Sequence, residues 1–324
     1  MSSRDQILSL FRRNLGEFVS GREISAELNV SRAAVWKQVK LLRESGFEIE
    51  AQRSQGYRLL SGPDVLLAAE IERGLRTSIV GRALFCLESL DSTNAKARQL
   101  AEAGALDGTV IIADRQSAGR GRLGRRWESP PSVNLYCTIL LRPQIPLQQA
   151  PQLTFLSAVA VAETLNQLYQ LSARVKWPND ILVDGAKIAG LLNEMSAETE
   201  QIHFVLLGIG VNLNMTSEQF PADLLYPATS VFLQRGQLAD RAAFIREFLQ
   251  RLDGYYQEFL AEGFVPIRRR WEALCDMLNC PVQVDQNPGL LQGVVVGLDI
   301  DGALRLQLDD GRVERVLAGD VRLV

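Results

Sequence analysis

GRGRLGRRW, Gly119–Trp127, sets four arginines and three glycines in nine residues of a 324-residue chain whose formal charge is −3. It contains G-x-G-x-x-G at Gly119, Gly121 and Gly124 and follows TVIIADRQ, which reads as a strand, so a dinucleotide-binding turn is tested first. That reading fails. Such a turn needs its third glycine inside a helix facing a pyrophosphate, whereas Arg125, Arg126 and Trp127 run into ESPPS, whose prolines stop a helix. Two readings remain. One is a solvated surface loop; the other is a glycine-hinged loop whose guanidinium groups close over a phosphate or carboxylate through forked, charge-assisted hydrogen bonds.

Composition narrows the chemistry. A hydrophobic fraction of 47% is that of an ordinary globular protein with room for two or three domains. No apolar run suits a membrane span, and MSSRDQILSLFRRNLGEF reads as an amphipathic helix instead of a secretory signal, which implies a cytoplasmic protein. Cys86, Cys137, Cys275 and Cys280 make no C-x-x-C pair and read as small buried hydrophobes. His203, the sole histidine, lies in strand-like QIHFVLLGIG and reads as an edge or core residue. A two-histidine metal site is thereby excluded, nucleophile–histidine catalysis has a single candidate base, and no G-x-x-x-x-G-K-[ST] phosphate loop occurs. Any chemistry rests on Arg, Lys, Asp and Asn.

Residues 1–60 carry ten Lys/Arg against seven Asp/Glu, a local +3 in a −3 chain. A helix through Ile24 and Leu28, a turn at Asn29-Val30 and a second helix, SRAAVWKQVKLLRESG, capped by Ser31, predict a helix-turn-helix. Val35, Val39 and Leu42 fall at i, i+4, i+7 and face inward, which leaves Arg32, Ala33, Trp36, Lys37, Lys40 and Arg43 outward. FEIEA-QRSQ-GYRLL is the expected wing. Ser31, Arg32, Ala33, Trp36, Lys37 and Lys40 are the expected DNA contacts, the first ones at base edges and the lysines on phosphates; a winged helix used for protein contacts is the alternative. SGPD, Ser61–Asp64, reads as a linker.

Between 65 and about 270, strand-like runs (ALFCLESL, TVIIADRQ, NLYCTILLRP, ARVKWPNDILVDG, AKIAGLLNEM, FVLLGIGVNLN) alternate with helical QLTFLSAVAVAETLNQLY and DRAAFIREFLQRLDGYYQEFLAEG. Several strands adjoin without a helix between them, notably across Asp184-Gly185, which predicts a mixed or largely antiparallel sheet backed by helices. From Cys280 onward short strands (PVQVD, LQGVVVGLD, ALRLQL, RVERVL, DVRLV) punctuated by NPG, DIDG and DDG predict a small β-barrel. The fold class is α+β, with expected domains at 1–62, 63–274 and 275–324.

Four further strings bear chemistry-capable residues. In KWPND, Lys176–Asp180, Trp-Pro favours extended backbone and aims Asn179 and Asp180, which suit a nucleotide or Mg²⁺; a plain strand-end turn fits equally. Lys187 in DGAKIAG has small neighbours that leave room for a ligand. DSTN, Asp91–Asn94, caps the helix NAKARQLAEAG on composition alone. GIGVN, Gly208–Asn212, brings bare backbone to a surface, for tight packing or for a ligand's approach.

Together and in this order these strings resemble the biotin protein ligases, specifically the bifunctional bacterial type that also represses the biotin operon. The resemblance covers essentially the whole chain, and the Arg-Gly loop and KWPND with its following lysine are its most specific matches. It implies an N-terminal winged helix that binds the biotin operator, a central α/β domain that makes biotinyl-5′-AMP from biotin and ATP, and a C-terminal SH3-like barrel. The adenylate's biotin is then passed to a lysine of the biotin carboxyl carrier protein of acetyl-CoA carboxylase, and the adenylate-loaded protein forms a homodimer on DNA. Position by position, the resemblance places Ser92, Thr93, Asn94 and Gln116 at the biotin head group. Arg120 and Arg122 fall at biotin and adenylate contacts, with Gly121, Gly208 and Gly210 in the same site. Lys187 holds the biotin carboxylate and α-phosphate, so Lys187, Arg120 and Arg122 form the catalytic set, and Trp127 closes the loop. Lys176, Arg125, Asn179, Asp180 and Asn212 fall on the nucleotide and magnesium side. Where the repressor-type enzyme packs a Trp on adenine, this chain has Tyr226 in LLYPATSVF.

The implied reaction explains the arginines. A carboxylate attacking the α-phosphate of ATP forces two anions together, and closing cations neutralise them and expel water without a histidine base. Two rivals stand beside this reading. A lipoate ligase shares the central fold in family terms, but the winged helix and GRGR favour biotin; a ligand-sensing transcription factor has no need of the Arg loop, KWPND and Lys187 together.

Overall fold

Three helices and a hairpin open the computed structural model, which describes residues 3–198, 201–224, 226–285 and 289–324. They are α1 (Ser3–Arg13), α2 (Gly21–Leu28), α3 (Arg32–Glu44) and the antiparallel strands β1 (Glu48–Gln52) and β2 (Gly56–Ser61). Ser20 caps α2 in a reciprocal box with Glu23, and Asn29 ends it in the left-handed region at φ 50°. The Ala34 N–H donates to Ser31 Oγ at 3.2 Å, starting α3 where the sequence predicts. Val35, Val39 and Leu42 are buried in one core with Ile7, Leu8 and Phe11 of α1, Ile24 of α2, and Ile49 and Leu59 of the wing. Each such side chain contributes about 1.5–3 kcal/mol by leaving water. The opposite face of α3, with Arg32, Ala33, Trp36, Lys37, Lys40 and Arg43, stays exposed. This unit, Met1–Arg73, continues past the wing into α4 (Ala68–Glu72). The Arg12 guanidinium donates to the carbonyls of Val65 and Pro63 and pairs with Glu70 at 2.7 Å, so SGPD leads into chain held on α1 instead of acting as a free tether.

The second unit, Gly74–Val324, is built on a seven-stranded sheet. Its strands are β3 (Ala83–Leu90), β4 (Thr109–Gln116), β5 (Leu135–Leu141), β6 (Arg174–Lys176), β7 (Asp180–Val183), β8 (Ala186–Glu198) and β9 (Gln201–Val211), in the order β3-β4-β5-β9-β8-β7-β6. Only β3 and β4 run parallel, joined by the crossover helix α5 (Thr93–Glu102); every other neighbour pair is antiparallel. The sheet is therefore mixed, as the adjacent strand signals predict. ARVKWPNDILVDG is two strands, with the chain reversing at Trp177-Pro178-Asn179 around a cis Trp177–Pro178 peptide instead of running extended. Asp184 and Gly185, both at positive φ, make the tight β7–β8 turn.

Helix α6 (Gln152–Tyr169) is buried almost all round because it lies between the sheet and the helices α8 (Arg241–Glu262) and α9 (Val265–Leu274). The short helix α7 (Val231–Arg235) precedes α8, and neither α7 nor α9 is foreseen from periodicity. The C-terminal strands β10 (Pro281–Asp285), β11 (Leu290–Leu298), β12 (Leu304–Gln307), β13 (Val313–Val316) and β14 (Asp320–Leu323) form an antiparallel sheet in the order β13-β12-β11-β10-β14. Laid flat, five strands would separate β13 from β14 by about 19 Å, more than the roughly 14 Å that the link from Val316 to Asp320 can span, so the sheet must curl on itself as a barrel does. Asn287 and Pro288 of the NPG turn lie outside the described residues.

Two smaller expectations are corrected. Cys137 and Cys275 are buried but Cys86 and Cys280 are only half-buried, and His203 is an exposed residue of interior strand β9, neither edge nor core.

Candidate functional site

Period-two alternation along β9 prepares the site. Phe204 and Leu206 pack under Ala97 and Ala101 of α5, and on the same face the next two positions are Gly208 and Gly210. A Cβ on Gly208 would lie 2.4 Å from Asn94 Oδ1, and one on Gly210 would lie 2.5 Å from Trp127 Cε2. Gly190, paired with Gly210 across β8 and β9, would meet Trp127 Cζ3 at 3.0 Å. The glycines thus form a bare floor on which the Trp127 indole lies. Of the two sequence readings of GIGVN, tight packing is what the geometry shows, and the room beside Lys187 is taken by Trp127, 5.5 Å from Nζ to ring centroid. Trp127 Nε1 is buried without a hydrogen-bond partner.

The Arg-Gly segment is a narrow hairpin. The Trp127 N–H donates to Gly119 O at 3.0 Å, the Gly121 N–H donates to Arg125 O at 2.7 Å, and a single 3₁₀ turn, Arg122–Gly124, forms its tip with Leu123 at φ 56° and 77% exposed. No helix follows, in keeping with the rejection of a dinucleotide turn. Two of its four arginines are tied to other elements: Arg122 Nη1 donates to Asn179 Oδ1 at 3.0 Å, and Arg125 pairs with Asp320 of β14.

The site has a neutral end and a charged end. At the neutral end, α5 begins at Thr93 with Ser92 as its N-cap residue, but no DSTN side chain makes the capping bond expected from composition. Asp91 instead accepts from the Ser92 N–H at 2.7 Å, and the Thr93 N–H and Oγ1 donate to Gln116 Oε1 at 2.9 and 3.2 Å. Thr138 Oγ1 donates to Asn94 Oδ1 at 2.6 Å. At the charged end, Lys187 Nζ is 2.6 Å from Asp180 Oδ1, yet that oxygen receives no well-angled hydrogen bond, so the contact is Coulombic more than directional. Lys176 Nζ stands 4.6 Å from the Tyr226 ring centroid, and Arg322 Nε donates to the Tyr226 hydroxyl at 3.2 Å.

Burial pushes the Arg122 guanidinium and the Lys176 ammonium below their ordinary pKa values, with Asp180 and Asp320 offsetting part of the effect. For Asp320, burial alone would raise the pKa, but the Arg125 hydrogen bond, helped by Arg122 and Lys176, wins and lowers it. An anion entering here meets cations that gain by its arrival.

One cavity of about 680 Å³ is lined by Ser92, Thr93, Asn94, Gln116, Arg120, Gly121, Arg122, Arg125, Trp127, Lys176, Asn179, Asp180, Lys187, Gly208, Gly210, Asn212 and Tyr226, so every ligase-site residue expected from sequence reaches it. Asn212 is buried, bonded to Asn134 and the Thr229 carbonyl. Gly190, Phe220 and Asp320 are among the lining residues not expected from the sequence. The pairing of Gly190 with Gly210 was detectable had the two glycine-bearing strands been aligned; nothing local marks Asp320, which arrives from another sheet. The candidate DNA residues belong to the separate first unit.

The first unit is thus a winged helix, and the second a mixed-sheet domain whose cavity joins a neutral polar end to a cationic one. Three family models match: an HTH domain over residues 3–58, the Biotin/lipoate A/B protein ligase family over 86–212, and the Biotin protein ligase C terminal domain over 278–324. The bifunctional ligase/repressor BirA of Bacillus subtilis is 38% identical over 320 residues, 99% of this chain and 98% of that protein. That of Escherichia coli K12 is 32% identical over 95% and 94%. A biotin protein ligase from Aquifex aeolicus, solved in complex with biotin and ATP, superposes with a TM-score of 0.66 at 28% identity, covering 75% of this chain and all of that one. The chain belongs to the bifunctional ligase/repressor family of biotin protein ligases.

Proposed function

We propose that this protein is an ATP-dependent biotin protein ligase that forms biotinyl-5′-AMP, transfers biotin to a lysine of the biotin carboxyl carrier protein, and represses biotin biosynthesis genes through its winged helix. The observation that carries the ligase reading is the cavity itself: one pocket joins a neutral hydrogen-bonding end at Ser92, Thr93, Asn94 and Gln116 to a cationic end at Arg120, Arg122, Arg125, Lys176 and Lys187. A ligand with a polar uncharged head and a carboxylate tail fits that polarity.

On this reading Lys187 leaves Asp180 for the biotin carboxylate and the α-phosphate, while Arg120 and Arg122 close over them, lowering the cost of bringing two anions together. Gly121 gives the loop its close approach, and Trp127, on its floor of Gly208 and Gly210, walls off water. Tyr226, flanked by Lys176 and Arg322, offers an aromatic face to adenine; Asn179, Asp180 and Asn212 line the nucleotide side. Mg²⁺ enters as part of the ATP substrate. Among the described residues no three His, Cys, Asp or Glu side chains gather for a metal, and Mg²⁺ ordinarily takes one or two carboxylates plus phosphate oxygens, which Asp180 and the triphosphate can supply.

On α3, Arg32, Ala33 and Trp36 behind the Ser31 cap present to base edges, and Lys37 and Lys40 to phosphates. Within the second unit we place a catalytic–C-terminal boundary at 274/275, and for the protein a homodimer in the adenylate-bound form and a cytoplasmic location; among the described residues no helix is long and apolar enough to cross a membrane. The test is incubation with biotin and MgATP and, separately, with lipoate, with acyl-adenylate read by mass spectrometry. Biotinyl-AMP that disappears when a carrier domain is added supports the ligase; no adenylate with either acid overturns it.

A further inference from the structure

Behind the neutral end of the cavity runs a directed chain of hydrogen bonds that leaves the pocket. Gln116 Oε1 accepts from the Thr93 N–H and hydroxyl, Gln116 Nε2 donates to Ser129 Oγ at 3.0 Å, and Ser129 Oγ donates to the Trp127 carbonyl at 3.0 Å. The backbone closes the same ring, with the Gln116 N–H donating to Ser129 O at 3.3 Å. Ser129 is 4% exposed and is not among the residues lining the cavity. A hydroxyl carries one proton, so once Ser129 gives it to the Trp127 carbonyl its lone pair must face Gln116. That fixes which end of the Gln116 amide is which: the NH₂ turns to Ser129 and the carbonyl to Thr93. The Thr93 hydroxyl in turn spends its proton on Gln116 and offers only lone pairs elsewhere, so it accepts from a ligand N–H.

A second observation marks the same spot. A Cβ on Gly119 would stand 2.4 Å from Trp127 O, 2.7 Å from Ser129 Oγ and 3.0 Å from Gln116 Nε2, so these three groups converge on the first residue of the arginine hairpin. Polarity at the head-group end and the anchorage of the hairpin's last residue therefore share one hydroxyl.

We infer that Ser129 is a positioning residue for biotin recognition: it orients the Gln116 amide, whose carbonyl takes the Thr93 proton and so leaves the Thr93 hydroxyl as an acceptor for a ureido N–H, and it couples that orientation to the base of the arginine loop. The inference rests on the biotin-ligase reading and adds to it a residue that touches no substrate. The test is a double-mutant cycle on the full chain with Ser129→Ala, Gln116→Ala and the pair, reading biotin-dependent pyrophosphate release and, without turnover, biotin binding by calorimetry. Ser129→Ala is expected to raise the KM and Kd for biotin about tenfold with the KM for ATP changed less than twofold, and to add less than twofold once Gln116 is already Ala. Equal Ser129→Ala effects in both backgrounds, or a parallel rise in the KM for ATP, overturn it. If the unmutated protein neither binds biotin nor releases pyrophosphate with it, the ligase reading itself has failed, an outcome the cycle distinguishes.

Discussion

Lys187 is held between two alternatives, the Asp180 carboxylate 2.6 Å away and whatever anion enters the cavity. With Lys187→Ala the adenylation step loses a positioned cation, and single-turnover pyrophosphate release should slow about 10²–10³-fold. The fold should survive, since Lys187 and Asp180 line the cavity and belong to no hydrophobic core; thermal unfolding followed by circular dichroism checks this. Asp320 gives a pH signature. Its folded pKa lies below its ordinary value, so the stabilisation it brings is present above the ordinary carboxylate range and is lost as pH falls through the folded value. Asp320→Asn should therefore lower stability at neutral pH and flatten the profile below about pH 4, the variant and the unmutated protein converging as pH falls, as denaturant melts at stepped pH will show.

The hairpin Gly119–Trp127 shows how one element joins distant parts of the second unit. Its tip bonds Asn179 of the β6–β7 turn, its side holds Asp320 of β14, and its last residue lies on Gly190 and Gly210. A loop held by a few exposed pairs opens at low cost, so protease nicking within 119–127 should fall when biotin and MgATP are present; cleavage indifferent to ligand counts against closure. The character of this element was legible from its arginines and glycines, but its partners were not. Trp127 and Gly210 are far apart in sequence, and only the register of β8 on β9 tells which glycines share a face. DSTN misled for a related reason: its residue types suit a cap, but no DSTN side chain caps α5, because Gln116, brought alongside by the parallel β3–β4 pair, takes the Thr93 donors.

Two units divide the work of the protein, with the α3 surface in Met1–Arg73 and the cavity in Gly74–Val324. Lys37→Ala and Lys40→Ala should each weaken operator binding and lower the salt slope of log K by about one, while biotinyl-AMP synthesis stays unchanged; gel shifts at several salt concentrations, paired with adenylate assays, separate the two. The order of the parts was written in local pattern: the 3.6-residue period of α3 and its serine cap, the period of two in the strands, and the turn residues at Asp184-Gly185. These signals act over a few residues, where backbone sterics and side-chain hydrogen bonding operate, and so they survive in the linear sequence. The cavity's composition was also visible, because motifs such as GRGR and KWPND are local. Its floor, its Asp320 wall and the Ser129 relay behind it arose only when β8 paired with β9, the arginine hairpin folded onto both, and β14 came beside them, since contacts between residues distant in the chain depend on register and packing that no short stretch encodes.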